Sequence, residues 1–402
     1  MLTFRVALRA WLLRIAVIHL GCVTTSLNSV QGEPAPLYSS NVTLKALRHP
    51  RGALDALRYL HTLPPSDLKI LGSEALLLEL ERLALHEERS LQVRLWSVQL
   101  LARLQVARPA LQKLVSEAPQ GASPAQQARS TTLARASALA LRSLARPDLL
   151  TEGLNHSDPE VRAHAASSGA NPSQLCQIVT SDPWPEVRYE AVQGLMKVGG
   201  AQALCLCDVL KDTSADVQER GAHALGSLIL DANWSPSDHE RRTLIKSLRA
   251  LAGDPRAPLP SRASAFVSLG RWGDLGPSEQ VLKTHLTKGG ITPLAIASVQ
   301  AIASSSATLE ERTAKLMVAL EQSASLEVRL RAASALSQLG ARQATRALRR
   351  AADRIGGREG ARYLKLIEER GDLTHTQSTV SAPEPQVDQL VPSLEDEDRF
   401  GL

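Results

Sequence analysis

One short pattern recurs along most of this chain, and it constrains the fold more than any other feature of the sequence. In one-letter terms it is a turn containing D or P, followed by V-R-x-x-A-A-x-x-L. The clearest copies begin at Asp158 and Pro185, and another begins at Leu326. Taking the Val, or the residue that replaces it, as the key position, the eight copies place it at residues 93, 133, 161, 187, 217, 261, 294 and 328. These gaps of 26 to 44 residues suit one helix–turn–helix unit for each copy.

The letters of the pattern have physical reasons. Apolar residues at i, i+4, i+5 and i+8 lie on one face of a helix, so each copy has one stripe to bury. A small residue at i+4 lets the next helix come close, an Asp in the preceding turn caps backbone N–H groups, and Pro is tolerated in the first helical turn. The Arg after the key Val can reach a carboxylate in the turn of an adjacent unit. Because no copy could bury its stripe by itself, the copies must stack. An aromatic content of only 3% agrees with close helix packing.

The copies at 158–166 and 185–195 resemble the HEAT family, in the short form that is also found in phycobilin lyases. The resemblance covers about 270 residues and implies a curved, right-handed stack of antiparallel helix pairs. We therefore predict an all-α fold, an α-solenoid of about eight stacked HEAT-like helix pairs over residues 42–370, between disordered termini. Two departures are visible: Gln218 replaces the Arg, and the long interval before residue 261 suggests an insertion around Ala232–His239 that bulges from the stack.

The first 32 residues are typical of an export signal. They contain three arginines and no acidic residue. The arginines precede a short apolar run, Ile15–Val23, and a polar segment follows it. Two processing routes are open, namely cleavage after Gly32 or lipidation of Cys22, since Leu20-Gly21-Cys22 resembles the end of a bacterial lipobox. We expect an exported protein of the periplasm or cell envelope, in which residues 33–41 form a tether.

The C-terminal segment 371–402 has the opposite charge. It holds seven carboxylates against one arginine, is rich in Ser, Thr, Pro and Gln, and has too little apolar content to form a core. It is predicted to be a disordered acidic tail.

Motifs that would indicate catalysis are missing from the sequence. It contains no G-x-S-x-G, P-loop or H-E-x-x-H motif. Some HEAT-repeat proteins are enzymes. One of them, deoxyhypusine hydroxylase, resembles this architecture and holds two irons through several His-Glu pairs. Here His86-Glu87 and His239-Glu240 stand at unrelated repeat positions, and no residue set for attaching a bilin is visible. We expect a protein that is not an enzyme and has no cofactor or metal; an enzyme of the di-iron hydroxylase or phycobilin-lyase type is one alternative.

Arginines near the C-terminal end of the array raise a second alternative, a basic solenoid that binds polyanions. They are Arg342, Arg346, Arg349, Arg350, Arg354, Arg358 and Arg362. Since acidic residues are interleaved and an export signal would keep the chain from nucleic acid, no nucleic-acid partner is expected.

Four cysteines are too few for a disulfide scaffold in a chain of this length. Cys176 and Cys207 lie 11 and 10 residues before their key positions and so occupy matching sites in neighbouring units. Stacked helices lie about 10 Å apart, which is long for a disulfide. Both are predicted to be small buried apolar side chains.

Protein binding is the function that the sequence predicts for such an array. A solenoid exposes a long row of helices, and the polar residues beside the buried stripe do not hold the stack together. We predict a protein-binding scaffold or adaptor whose partner cannot be named from sequence, with membrane contact only through a lipid on Cys22. The predicted binding surface comprises His164, Tyr189, Glu190, Arg220, His223 and, in the insertion, Trp234.

Overall fold

The computed structural model describes residues 40–116, 123–339 and 342–366, and these residues contain helices and turns but no strand. The predictions for the export signal 1–32, including Cys22, for all but the last two residues of the tether 33–41, and for the tail 371–402 lie outside the described residues. The chain divides into two compact units between Glu79 and Leu80.

The first unit contains three helices and the beginning of a fourth. They are α1 (Ser40–Arg48), α2 (Ala53–Thr62), α3 (Pro65–Leu71) and α4 (Glu74–Leu85), whose last residues belong to the second unit. The core of this unit is aliphatic, and Leu47, Leu57 and Leu68 are fully buried in it. Residues 40–79 are therefore mostly helical, with short turns between the helices.

The second unit continues in the same way to the end of the described chain. Its elements are α5 (Leu91–Arg103), α6 (Pro109–Ser116), α7 (Pro124–Ser143), the 3-10 segment η1 (Pro147–Asn155), α8 (Pro159–Ser167), α9 (Pro172–Ser181), α10 (Pro185–Val198), the 3-10 segment η2 (Gly200–Cys205), α11 (Leu206–Val209), α12 (Ala215–Leu228), α13 (Asp238–Gly253), α14 (Leu259–Arg271), α15 (Gly276–Lys288), α16 (Thr292–Ala303), α17 (Leu309–Gln322), α18 (Leu326–Leu339) and α19 (Arg342–Ile355). Residues 357–366 are also helical.

Every key position of the sequence pattern lies in a different helix of one row. In chain order this key row consists of α5, α7, α8, α10, α12, α14, α16 and α18, and each of these helices packs on the next. From α7 onwards, each key helix also packs on the segment just before it, and these segments form the second row: α6, η1, α9, η2 with α11, α13, α15 and α17. The described residues therefore confirm the predicted all-α solenoid of stacked helix pairs.

The eight key side chains are all buried, with exposures between 0 and 6%. The start of α8 shows why the local sequence folds in this way. Asp158 caps the helix by accepting hydrogen bonds from the backbone N–H groups of Glu160 and Val161, and Pro159 occupies the first turn. The small residues Ala165 and Ala166 then lie fully buried where the neighbouring helices pack.

The Arg that follows the key Val bonds in the way predicted from sequence. Arg162 makes a bidentate pair with Asp182, and Arg188 makes one with Asp212, at N–O distances of 2.6–3.1 Å. Each guanidinium also donates to a backbone carbonyl in the turn before its own helix, as Arg188 does to Asp182 O at 2.7 Å. One side chain thus closes its own turn and holds the next unit.

The predicted insertion around Ala232–His239 overlaps the connection between α12 and α13, residues 229–237, and its last two residues begin α13. Ser237 caps α13 in a capping box with Glu240. The long interval before residue 261 contains both this connection and α13, a helix of 16 residues. No helix among the described residues is long and apolar enough to cross a membrane.

Candidate partner-binding surface

Polar side chains of five consecutive key helices join into one line beside the buried stripe. We call this line the polar ribbon. It consists of Arg142 on α7, His164 on α8, Tyr189, Glu190 and Gln193 on α10, Arg220, His223 and Ser227 on α12, and Arg271 on α14. Most members are half-buried, which places them at the surface with restricted side chains. Contacts between helices connect the members in three groups, which bridge α7 to α8 and α10, α10 to α12, and α12 to α14.

The first group centres on Arg142. Its Nη1 lies 3.2 Å from Nδ1 of His164, and its Nη2 lies 3.6 Å from Oε2 of Glu190. The guanidinium therefore spans from α7 past α8 to α10. Burial and, after it, the charge of Arg142 lower the pKa of His164 to about 4. The imidazole is consequently neutral at pH 7, and its Nδ1 can accept a hydrogen bond from Arg142.

The second group centres on Arg220. Its guanidinium lies over the ring of Tyr189, 5.6 Å from the ring centroid, and its Nη2 donates to Oε1 of Gln193. Both contacts cross from α12 to α10. The Nε of Arg220 is buried without a hydrogen-bond partner among the described residues. This buried Nε is out of reach of a partner, but the half-buried guanidinium is held in one orientation at the surface, which suits a cation that binds an acceptor on another molecule.

The ribbon continues from Arg220 to α14. Arg271 Nη1 donates to Ser227 Oγ at 3.3 Å, and Ser227 in turn donates to the carbonyl of His223 at 3.0 Å. Burial lowers the pKa of His223, and the nearby charges of Arg220 and Arg271 lower it further. Arg220 and Arg271 thus both lie near His223, and this end of the ribbon is cationic.

Five of the six residues predicted for the binding surface lie on this ribbon, and Trp234 does not. Trp234 is half-buried, with its ring edge-on to Trp272 at 6.0 Å and its indole against Gly200. It lies in the connection between α12 and α13 and packs back on neighbouring segments.

Four members of the ribbon were missed: Arg142, Gln193, Ser227 and Arg271. A usable signal exists for one of them, because Arg220, His223 and Ser227 follow one another at i, i+3 and i+7 on one helix face. Arg142 and Arg271 stand in the last turns of their helices. Their membership depends on how far each helix is offset from the next, which a repeat pattern does not show.

The prediction for the cysteines is partly wrong. Cys176 on α9 and Cys205 at the end of η2 form a disulfide, with their Cα atoms 5.5 Å apart. The prediction compared Cys176 with Cys207 at the spacing of two regular helices, whereas the 3-10 segment brings the neighbouring Cys205 much closer. Cys207 is buried and unbonded to sulfur, as expected, and burial raises the pKa of its thiol.

The geometry of a metal centre is not found in the described part of the chain, where no three His, Cys, Asp or Glu side chains converge. Of the two His-Glu pairs, one has a clear structural role. The carboxylate of Glu240 accepts from the backbone N–H and hydroxyl of Ser237 at the start of α13.

No protein-family model and no curated protein sequence matches this chain. Among solved structures it is similar to human deoxyhypusine hydroxylase in complex with glycerol, at 17% identity and a TM-score of 0.27, covering 66% of this chain and 95% of that one. It is also similar to a structure of Kap95p with RanGDP, at 12% identity and a TM-score of 0.36, and to importin beta, at 11% identity and a TM-score of 0.34. These matches cover 83% and 82% of this chain but only 56% and 55% of those chains, so this chain spans a little over half of their length. At such identities the likeness concerns the helical fold and does not extend to a partner or a reaction.

Proposed function

We propose that this chain is a non-enzymatic scaffold of the cell envelope that binds a partner protein along the polar ribbon. The observation that carries the proposal is the continuity of the ribbon. Its side chains are linked from α7 to α14 by contacts between helices, so they form one prepared surface rather than separate solvated residues. Side chains that are already ordered lose little conformational entropy when a partner binds.

The composition of the ribbon also suits a protein partner. Arginine and tyrosine are enriched among residues that dominate binding energy, and here Arg220 is stacked on Tyr189. The positive field around Arg220, His223 and Arg271 favours a partner segment that carries carboxylates. At the other end, Glu190 is already balanced by Arg142.

The disulfide supports the envelope as the location. Disulfides form and persist in oxidising compartments such as the periplasm and are rare in the reducing cytosol. A bond between Cys176 and Cys205 therefore agrees with the export signal predicted over residues 1–32. Mass spectrometry of the protein from its native host tests both points. Loss of residues 1–32 or a diacylglyceryl group on Cys22 supports export, whereas an intact Met1 with both thiols reduced contradicts it.

The binding proposal is tested with a triple variant, Tyr189→Ala, Arg220→Ala and His223→Ala, used as bait beside the parent protein. We expect the affinity for the captured partner to fall about 30-fold or more, as for residues that dominate an interface. The matched control changes three exposed residues of the second row, Gln177→Ala, Lys246→Ala and Lys283→Ala. Full capture by the ribbon variant at unchanged helicity would move the binding site elsewhere.

A further inference from the structure

The last described helices carry a one-sided row of arginines that the ribbon does not use. The buried side of α19 consists of small and aliphatic residues, such as Ala347, Leu348 and Ala351. The other side is exposed and cationic. We call it the basic face, and its members are Arg346, Arg349, Arg350 and Arg354 on α19 and Arg358 and Arg362 in residues 357–366. Spacings of three and four residues keep neighbouring members on one side of each helix.

Carboxylates near the basic face do not neutralise it. Glu359 is held by Arg329 in a bidentate pair at 2.8 and 2.9 Å and accepts a hydrogen bond from Tyr363 at 2.5 Å. These bonds, with a smaller contribution from Arg362, lower the pKa of Glu359. Asp353 is the exposed carboxylate of α19. Within the described residues, no ion pair joins any of the six arginines to a carboxylate.

The sequence that follows the basic face has the complementary charge. Residues 384–398 contain Glu384, Asp388 and the run Glu395–Asp398, with no Lys or Arg among them. Glu395 comes 29 positions after Leu366, and an unfolded chain of that length spans about 30 Å. The 14 residues of α19 are about 21 Å long at 1.5 Å per residue. The acidic segment can therefore reach the whole of the face.

We propose that the acidic segment 384–398 docks on the basic face of the same chain and shields it from external polyanions. Attachment to the same polypeptide gives the segment an effective concentration of about a millimolar, so even a weak contact is occupied much of the time. Contact between several carboxylates and several arginines is also sensitive to salt. An anionic membrane surface could occupy the same face, and the experiment below distinguishes it from the acidic segment.

The experiment measures binding of a fluorescent peptide with the sequence of residues 384–402 to three forms of the full chain. The first is the parent. The second, the tail variant, neutralises its own acidic run through Glu395→Gln, Asp396→Asn, Glu397→Gln and Asp398→Asn. The third adds Arg346→Gln, Arg350→Gln, Arg354→Gln and Arg358→Gln to the tail variant. A parallel series uses phosphatidylglycerol vesicles in place of the peptide.

We expect the tail variant to bind the peptide about tenfold more tightly than the parent does, because its own tail no longer competes. Binding should weaken as salt rises and should be lost in the form without the four arginines. Replacing the same arginines by Lys should restore it, which separates charge from misfolding. A matched control adds the neutralisation of four other cations to the tail variant, and it should bind the peptide as tightly as the tail variant does. These cations are exposed between α13 and α15: Arg242, Arg256, Lys283 and Lys288.

Equal affinity of the parent and the tail variant for the peptide would overturn the proposal. So would binding that survives loss of the four arginines. Vesicles that bind parent and tail variant equally, while the peptide binds neither, would assign the basic face to a membrane and would also overturn it.

Discussion

Between α7 and α12 the successive key helices are joined by ion pairs, whereas between α12 and α16 the key helices are joined by close contacts of small residues and by hydrogen bonds to the backbone. In the first region, which we call the ladder, Arg135 pairs with Asp158, Arg162 with Asp182 and Arg188 with Asp212. The last two pairs are nearly buried, with side-chain exposures of 6 to 13%. Each pair joins an arginine on one key helix to a carboxylate in the turn of the neighbouring unit.

The second region, which we call the close-packed region, is joined by hydrogen bonds from side chains to the backbone. Hydroxyls of α14 donate to carbonyls of α12: Ser261 to Ala215 O at 3.1 Å and Ser268 to Ala222 O at 2.7 Å. The indole N–H of Trp272, just after α14, donates to another buried carbonyl of α12, Leu225 O, at 2.8 Å. Such bonds require the two helices to approach closely.

Glycines make that approach possible. A Cβ on Gly226 would lie 2.2 Å from Ser268 Oγ, and one on Gly270 would lie 2.3 Å from Ala301 O on α16. The change from ion pairs to close packing between key helices occurs at Gln218, which stands where the ladder has an arginine. Its amide donates to Asp212 O at 2.7 Å, as an Arg would to its own turn, but it makes no ion pair to the following unit. One change in the repeat therefore coincides with a change in how the stack is held.

The largest effect should come from breaking the ladder at a buried pair. Arg188→Ala leaves Asp212 buried without its cation and should cost about 3–5 kcal/mol in the free energy of unfolding. The control is Arg249→Ala, which loses a bidentate pair of similar length to Asp274 but from a side chain that is 58% exposed, and it should cost about 0–1 kcal/mol. Urea unfolding followed by circular dichroism measures both. Equal losses would show that burial does not set the strength of the ladder.

Acid should weaken the ladder region through His164. The pKa of His164 in the folded chain is about 4, below its ordinary value of 6.5. As the pH falls, His164 therefore becomes protonated in the unfolded chain before it does in the folded chain. Stability should therefore fall as the pH drops from about 6.5 to about 4, by about 3 kcal/mol. Urea midpoints measured at pH 7 and pH 4.5 give this loss of stability, and His164→Gln should remove the part of it that arises from His164. His223→Gln, at an exposed position, should remove much less; an unchanged pH profile in the His164 variant would contradict the account.

A methyl group should disrupt the close-packed region. Gly270→Ala places a Cβ against the backbone of Ala301 and should cost about 1–3 kcal/mol in unfolding free energy. Gly253→Ala is the matched control, since no atom lies within 4 Å of its added Cβ, and it should be neutral or stabilising by up to about 1 kcal/mol. If both variants were neutral, α14 and α16 would not be in the close contact described here.

The smallest effect is expected from a single hydroxyl. Ser268→Ala removes the buried bond to Ala222 O and should cost about 1 kcal/mol. Ser264→Ala removes a longer and more exposed bond to Glu219 O, at 3.3 Å, and should cost less. Thermal unfolding of the two variants side by side gives the difference. A larger loss in the Ser264 variant would mean that burial does not govern these bonds.

The same comparison explains which features could be predicted from sequence. The buried stripe and the ladder follow from local spacing, since a key Val followed by Arg determines both the buried face and the direction of the cation. The close-packed region was visible only as poor matches to the pattern, because Ser261 at a key position reads as a lost Val rather than as a donor to a neighbouring helix. The disulfide and the placement of Trp234 depend on short segments, η2 and the connection before α13, whose geometry has no repeat to predict it.

The candidate surface was predictable to the same degree. His164 and Arg220 each follow the key Val of their helix by three residues and so hold a fixed offset from the buried stripe, which made them visible in the sequence. Arg142 and Arg271 reach the ribbon from the last turns of their helices, and their contacts depend on how adjacent helices are offset. The sequence therefore predicted the middle of the ribbon and not its two ends.

Site-specific photo-cross-linking in the native host tests the central claim, that the polar ribbon is the partner-binding surface, most directly. A cross-linking amino acid is placed at Gln193 or Ser227 on the ribbon, or at Gln177 or Lys246 on the second row. The account predicts that both ribbon positions cross-link the same protein, that neither second-row position does, and that adding Arg220→Ala abolishes the product. Cross-links from the second row alone, or ribbon cross-links that persist unchanged with Arg220→Ala, would contradict it.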